Sequence, residues 1–374
     1  YSWAADQGCE VLSGEFRAVD ETPPAQPIIH ISHLEDVAEG MRICGGQPNL
    51  RERYGGKGSS LLYVHDLNLP SRDGFILPTS IPRARLHLDD RGWLERKITQ
   101  HLQILEDDIA RQGGVRKRFG NASEPLVLAV RGGSVFSMPG MLSTIVFVGM
   151  NDDIAEALAQ HGPWRAYDSY RRFLASYGLA MWDVDLETFN VVEDAKRRYG
   201  VEYKTDLPGE AMREIAEESK TVFRDHGLSK ELEKTLADPK RQLVDSVVAV
   251  FESWNKDRAK RYRKIKGISN SWQTAAIVQE MAFGNGRNET TRQGMDETLV
   301  SLTGVIPHTV VNEFGIRELS GEFKFSAAGD DLVGGVTSSG SFHSIAELDM
   351  LMPMLGRRLR HVASRLRNFM GTDQ

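Results

Sequence analysis

Pro125-Leu126-Val127-Leu128-Ala129-Val130 runs without a break into Arg131-Gly132-Gly133-Ser134, and Ser137-Met138-Pro139-Gly140-Met141 follows. The first six residues form a continuous apolar run bounded by turn formers, the pattern of a buried strand. It predicts a strand over 125–130 that ends at Arg131, then a loop whose glycines bring backbone close to something else. A guanidinium at a strand end can chelate phosphate oxygens in a planar fork that lysine cannot reproduce. Gly140 would let a backbone amide lie against a phosphate, with the Thr144 hydroxyl one turn later. The competing reading of Arg131 is an ordinary ion pair with a neighbouring carboxylate.

Outward from this stretch, two further segments carry chemistry. Upstream, Gly55-Gly56-Lys57-Gly58 precedes a helical run over 59–67. Glycine amides, the positive end of a helix and the charge of Lys57 together suit an anion. The spacing differs from the Walker pattern, so a glycine-rich turn with a solvated lysine stands as the alternative. Downstream, Ala275-Ala276-Ile277-Val278-Gln279-Glu280-Met281-Ala282-Phe283-Gly284 reads as a strand. Such a strand can offer backbone groups to an adenine edge, with the Gln279 amide beside it, although core packing explains the same apolar pattern.

The remainder frames these elements. Gly74–Thr79 reads as a short strand after Pro70, and Trp93–Gln112 has helical periodicity. From 151 to 237 nearly every pattern is helical, with breaks at Gly200 and Pro208-Gly209. Helices are also predicted over 242–254, started by Pro239, and over 258–266. Strands follow at 298–306, 321–326 and 332–336, a loose loop at 286–297, and a single final helix over 345–369. Residues 1–45, with the stiff Thr22-Pro23-Pro24-Ala25-Gln26-Pro27 connector, read as an extension. Arg171 and Arg172 share a helix; one of them facing a cleft is the alternative to the commoner reading, solvated surface charges. His30 and His33 face one side of a strand, a pairing more often incidental than metal-binding.

Composition limits the function classes. The 374 residues carry 46 Lys and Arg against 52 Asp and Glu, a formal charge of −6. That balance is poor for coating nucleic acid or an anionic membrane. Cys9 and Cys44 are too few for a disulfide framework or an all-cysteine metal site. The longest apolar runs fall far short of the ~18 residues that span a bilayer. The expectation is a globular cytoplasmic protein, with no nucleic-acid or membrane partner.

Taken in order along the chain, these segments resemble the N-terminal nucleotide-binding region of the pyruvate phosphate dikinase and phosphoenolpyruvate synthase family. The carrying motifs are Gly55-Gly56-Lys57-Gly58, Leu69-Pro70 with Gly74-Phe75, and Val130-Arg131-Gly132-Gly133. Ser137-Met138-Pro139-Gly140-Met141, Gly149-Met150-Asn151-Asp152 and Ala166-Tyr167-Asp168-Ser169-Tyr170-Arg171-Arg172-Phe173 continue the match, as does Val278-Gln279-Glu280-Met281. The resemblance implies an α+β, two-lobed ATP-grasp-like fold with a helical insert subdomain. Its parts would be an extension over 1–45, a first lobe over 46–150, the insert over 151–237 and a strand-rich second lobe over 238–374.

It further implies ATP and Mg2+ as cofactors, and ATP-dependent phosphorylation of a carrier histidine on another domain or subunit, for transfer to pyruvate or a related acceptor. Lys57 and Arg131 match the family's catalytic phosphate-binding cations. Gly140 and Thr144 fall in its phosphate-side loop, and Gln279 and Met281 on its adenine side. The sequence also departs from the family. Pro307-His308 replaces a Thr-Arg-Asn-Pro loop, Val336-Thr337 replaces an Arg position, and Gly132 replaces a Ser. The family's acidic metal ligand and Gln-x-Arg pair would follow Gln374, so no metal ligand is assigned within these residues. The alternative reading is a degenerate nucleotide-binding or regulatory module without turnover.

Overall fold

The computed structural model describes residues 28–33, 47–83, 91–113, 116–282, 302–311, 317–325 and 343–370. The expected loop over 286–297, the strand over 332–336, both cysteines and the 22–27 connector lie outside them. Within them the chain is α+β, with antiparallel main sheets.

The first elements are β1 (Ile29–His30), α1 (Gln47–Asp66), β2 (Gly74–Leu77), α2 (Ser80–Arg83) and α3 (Arg91–Gly113). Four strands follow: β3 (Arg118–Phe119), β4 (Pro125–Leu126), β5 (Leu128–Ser134) and β6 (Thr144–Val148). The helical run is α4 (Asp152–Ala159), α5 (Pro163–Trp182), α6 (Val191–Tyr199), α7 (Gly209–Asp225), α8 (Ser229–Ala237), α9 (Pro239–Ser253) and α10 (Asp257–Lys266). The chain continues through β7 (Thr274–Glu280), β8 (Leu302–Val311), β9 (Arg317–Phe325), β10 (His343–Ser344), α11 (Ile345–Leu351) and α12 (Pro353–Met370).

The central sheet has the order β1-β2-β7-β5-β6 and is antiparallel throughout. β7 lies in its middle and every residue of it is buried, so both faces are covered. Alternation sorts the side chains. One face carries Phe75, Leu77, Val130, Ile145, Ala276 and Val278 into a large core shared with α3, α5 and α9. The other carries Ile29, Ile76, Ala275 and Ile277 against Leu50, Tyr54 and Leu62 of α1. Arg131 opposes Ile277 on one side and Thr144 on the other, so it projects onto this second face, beneath α1.

Several expectations need correction. β5 runs on through Gly132-Gly133 to Ser134, so Arg131 sits in mid-strand and not at a strand end. The glycines there serve close approach: a Cβ at Gly132 would lie 2.9 Å from Leu142 Cβ. Thr144 is reached by the return strand β6, not by a helical turn. β8 extends to Val311, and a register shift between Val305 and His308 accommodates Pro307, which has no N–H for the ladder. The final helix is two, α11 and α12, divided at Met352-Pro353 because proline cannot continue the hydrogen-bond ladder.

Arg172 is no surface charge. It is 4% exposed and its Nε donates to Asp168 at 2.7 Å, where Arg171 (2.9 Å) and Lys204 (3.2 Å) also meet. Burial alone would raise the Asp168 pKa, but these cations hold its carboxyl well below the usual range. The cluster ties α5 to the short 3-10 turn Lys204–Asp206. His30 and His33 stack at 5.0 Å, and a third imidazole, His101 of α3, lies 2.8 Å from His30 through ring nitrogens. Among the described residues no group of three or more His, Cys, Asp or Glu is arranged to hold a metal ion, and no helix is long and apolar enough to cross a membrane.

Candidate functional site

Gly55 breaks α1. Its φ of 71° and ψ of 166° leave the helical region, so a first segment ends at Tyr54 and a second opens at Gly56. The kink lets the chain touch β5: a Cβ at Gly55 would lie 1.9 Å from the Gly133 carbonyl oxygen. Only glycine satisfies both the dihedral and the contact. Gly133 in turn lies under Lys57, since its own Cβ would stand 3.5 Å from Lys57 Cβ. Arg51 Nε donates to Val135 O at 3.3 Å and fastens the first segment to the chain just beyond β5.

Lys57 and Arg131 therefore meet on one face of the sheet, near enough for the arginine's charge to act on the lysine. The Lys57 ammonium loses hydration and its pKa is lowered, first by burial and second by Arg131. The lysine side chain as a whole remains solvent-accessible, so the shift reflects partial desolvation of the ammonium and not full enclosure. The Arg131 pKa is lowered by burial alone. Neither cation forms an ion pair among the described residues. Arg131 donates from Nη2 to Gln279 Oε1, while its buried Nε has no hydrogen-bond partner.

Gln279 is the holder of this arginine. Its Oε1 accepts from Arg131 and its Nε2 donates to Arg72 O at 2.8 Å, so both ends of the amide are engaged. Gly74 makes the room, because a Cβ there would lie 2.9 Å from Gln279 Cα. The neighbouring backbone is also committed: Glu280 N–H donates to Asp73 O at 2.9 Å, and Met281 N–H to Val127 O at 3.0 Å. Met281 itself is partly buried against the large core. Glu280 projects to the opposite face and takes Lys117 at 2.6 Å and Arg72 at 3.6 Å.

Gly140 and Thr144 flank this centre. Met141 N–H donates to Met138 O at 3.1 Å, closing a turn with Pro139 and Gly140 at its corners. Gly140 has φ 71° and nothing within 4 Å of a built Cβ, so the dihedral and not crowding demands glycine. Thr144 is exposed beside Arg131.

The structure thus brings together Lys57, Arg131, Gln279 and Thr144, with Gly140 on the loop between β5 and β6. The sequence reading missed the Gln279 clamp on Arg131, the Glu280 pairing and the role of Arg51. The contiguous Arg116-Lys117-Arg118 run was the only signal for the second of these, and it does not point to Glu280.

Two cations with no carboxylate paired to them among the described residues, one in a helix opening and one on the strand beneath it, have the chemistry that nucleotide phosphates require. Residues 51–315 match the family described as pyruvate phosphate dikinase, AMP/ATP-binding domain, and the chain belongs to that family. It is 35% identical over 326 residues to pyruvate, phosphate dikinase of Clostridium symbiosum, covering 86% of this chain and 35% of that protein. It is 33% identical over 355 residues to the chloroplastic enzyme of Flaveria pringlei (92% and 34%), and 35% over 304 residues to chloroplastic enzyme 1 of Zea mays (78% and 29%). The chain spans about a third of the length of these curated relatives.

Proposed function

We propose that this chain binds ATP in an ATP-grasp-like cleft and forms the phosphoryl-donating part of a dikinase-type phosphotransferase. The observation that carries the reading is the meeting of Lys57 and Arg131 on one sheet face, with no carboxylate among the described residues paired to either. Phosphoryl transfer asks a protein chiefly for positioning and charge neutralisation. Arg131, held by Gln279, grips phosphate oxygens in a fixed orientation, and Lys57 adds a more mobile charge from the helix opening. The Gly140 turn and the Thr144 hydroxyl close the phosphate side.

Gln279 acts through Arg131 and is a positioning residue. Since the Glu280 and Met281 N–H groups are already bonded within the protein, Met281 contributes apolar surface to the base and not a donor. The phosphoryl group then passes to a carrier histidine on another domain or subunit, and onward to pyruvate or a related acceptor. Family membership brings Mg2+ with ATP, but no cluster of His, Cys, Asp or Glu among the described residues fits the ion.

The test is thermal unfolding with and without ATP and Mg2+. A ligand that binds only the folded state stabilises it by about 2.7 kcal/mol at a hundredfold excess over Kd. Wild type should show the shift, and Lys57→Ala and Arg131→Ala should each lose most of it. An unchanged shift in both variants overturns the assignment.

A further inference from the structure

Arg263 of α10 is 2% exposed, one of the largest side chains to be fully enclosed. Its Nη1 donates to Trp254 O at 2.6 Å and its Nε to Asn270 Oδ1 at 3.0 Å. Its guanidinium carbon stands 4.1 Å from the centre of the Trp254 ring. All these partners are neutral, and among the described residues no carboxylate pairs with it. Burial lowers its pKa, yet an arginine keeps its proton under such conditions. A buried cation with only neutral partners is a costly way to fill space, and a methionine would fill it without the desolvation penalty. What the guanidinium adds is fixed geometry, a plane stacked on the indole and bonded at two points.

That geometry leads to the loop between β5 and β6. Trp254 is 1% exposed and packs with Met138 and Ala259, with Met141, Leu142 and Trp272 around them. Phe136 meets the Trp272 ring edge-on at 5.8 Å. The underside of the 135–143 loop therefore rests on a wall made by the end of α9, α10 and the segment leading into β7. Arg263 locks the centre of that wall. The same loop carries Gly140 and returns the chain to Thr144 beside Arg131.

We propose that Arg263 is a positioning residue for the phosphate-side loop, fixing Trp254 beneath Met138 so that the loop stands ready for a polyphosphate. The inference rests on the nucleotide reading above. It is tested by titrating the 374-residue chain with ATP and Mg2+, with inorganic tripolyphosphate and with adenosine, by calorimetry, in wild type, Arg263→Met, Arg263→Lys and Asn270→Ala. Arg263→Met should weaken ATP and tripolyphosphate about tenfold and leave adenosine unchanged. Arg263→Lys should recover part of the loss, and Asn270→Ala, which removes one bond from an exposed residue, should weaken both about threefold. The Asn270 variant keeps the test alive if Arg263→Met does not fold.

Variants that bind tripolyphosphate within a factor of ~1.5 of wild type overturn the Arg263 role alone, as do variants that lose adenosine in equal measure. Wild type that binds neither ATP nor tripolyphosphate overturns the nucleotide reading, and this inference with it.

Discussion

Replacing Arg131 by methionine should separate binding from folding. The folded protein loses one charge-assisted hydrogen bond, to Gln279, worth about 1.5–3 kcal/mol, and leaves Gln279 Oε1 without that donor. In exchange it sheds a buried Nε that has no hydrogen-bond partner, a burden of about 1–3 kcal/mol, and the cost of holding a desolvated charge. These contributions oppose one another at similar size. Urea titration of the unliganded variant should therefore give a stability within about 2 kcal/mol of wild type. The same titration with ATP and Mg2+ at a hundredfold excess over the wild-type Kd should stabilise wild type by about 2.7 kcal/mol and the variant by almost nothing. An unliganded variant less stable by about 3–5 kcal/mol would mean that Arg131 is half of a structural charge pair. Retained stabilisation by ATP would mean that the phosphates lie elsewhere. Either result refutes the reasoning.

Two further perturbations probe the scaffold. His30 is enclosed beside His101 and His33, with Asp108 bonded to His33 at 2.8 Å; burial first, then His101 and His33, lowers its pKa from 6.5 to about 3. Its folded pKa lies below the unfolded value, so stability is full above pH 6.5 and falls by about 1.4 kcal/mol per pH unit below it. Between pH 7 and pH 5 wild type should lose about 2 kcal/mol more in urea titrations than His30→Phe, and equal losses would refute the assignment. Gly55→Ala sets a Cβ 1.9 Å from Gly133 O at φ 71°, whereas Gly140→Ala meets only the dihedral penalty. The first should cost at least ~3 kcal/mol and the second ~1 kcal/mol in thermal unfolding, and similar losses would contradict the close approach.

Local periodicity made most of the frame legible. α3 was expected over 93–112 and spans Arg91–Gly113; α9, α10, β2 and β7 fell within a few residues of their expected bounds. What escaped depends on partners distant in sequence. Gly132-Gly133 has the composition of a turn, yet it continues β5, because β7 pairs with it residue for residue and α1 needs bare backbone above it. β1 contributes two residues to the sheet, too few for any pattern, and is defined by its pairing with Phe75 and Ile76. The site divides in the same way. Glycines beside Lys57 and Arg131 announced close backbone approach, while the Gln279 clamp pairs residues 148 positions apart. Arg263 stands among Arg258, Lys260, Arg261, Lys264 and Lys266 in a basic helical run, and its burial is not legible there because the other five cations are exposed.

The proposed function asks a chain of net charge −6 to hold a polyanion. The long-range field is unfavourable, so attraction has to come from within about a Debye length, ~10 Å at 0.1 M salt. The structure concentrates cations there and withholds their counter-ions. Several buried carboxylates elsewhere are matched by cations, as at Asp168 with Arg171, Arg172 and Lys204, or Glu280 with Lys117 and Arg72. Lys57 and Arg131 are left to repel one another, and that repulsion helps to lower the lysine's pKa. Under the proposed reading, a phosphate chain placed between them reverses the sign of that interaction, raises the lysine's pKa again and supplies acceptors to a guanidinium whose one hydrogen-bond partner among the described residues is Gln279. That mutual repulsion then makes the pair selective for dense negative charge, because a neutral ligand relieves none of it.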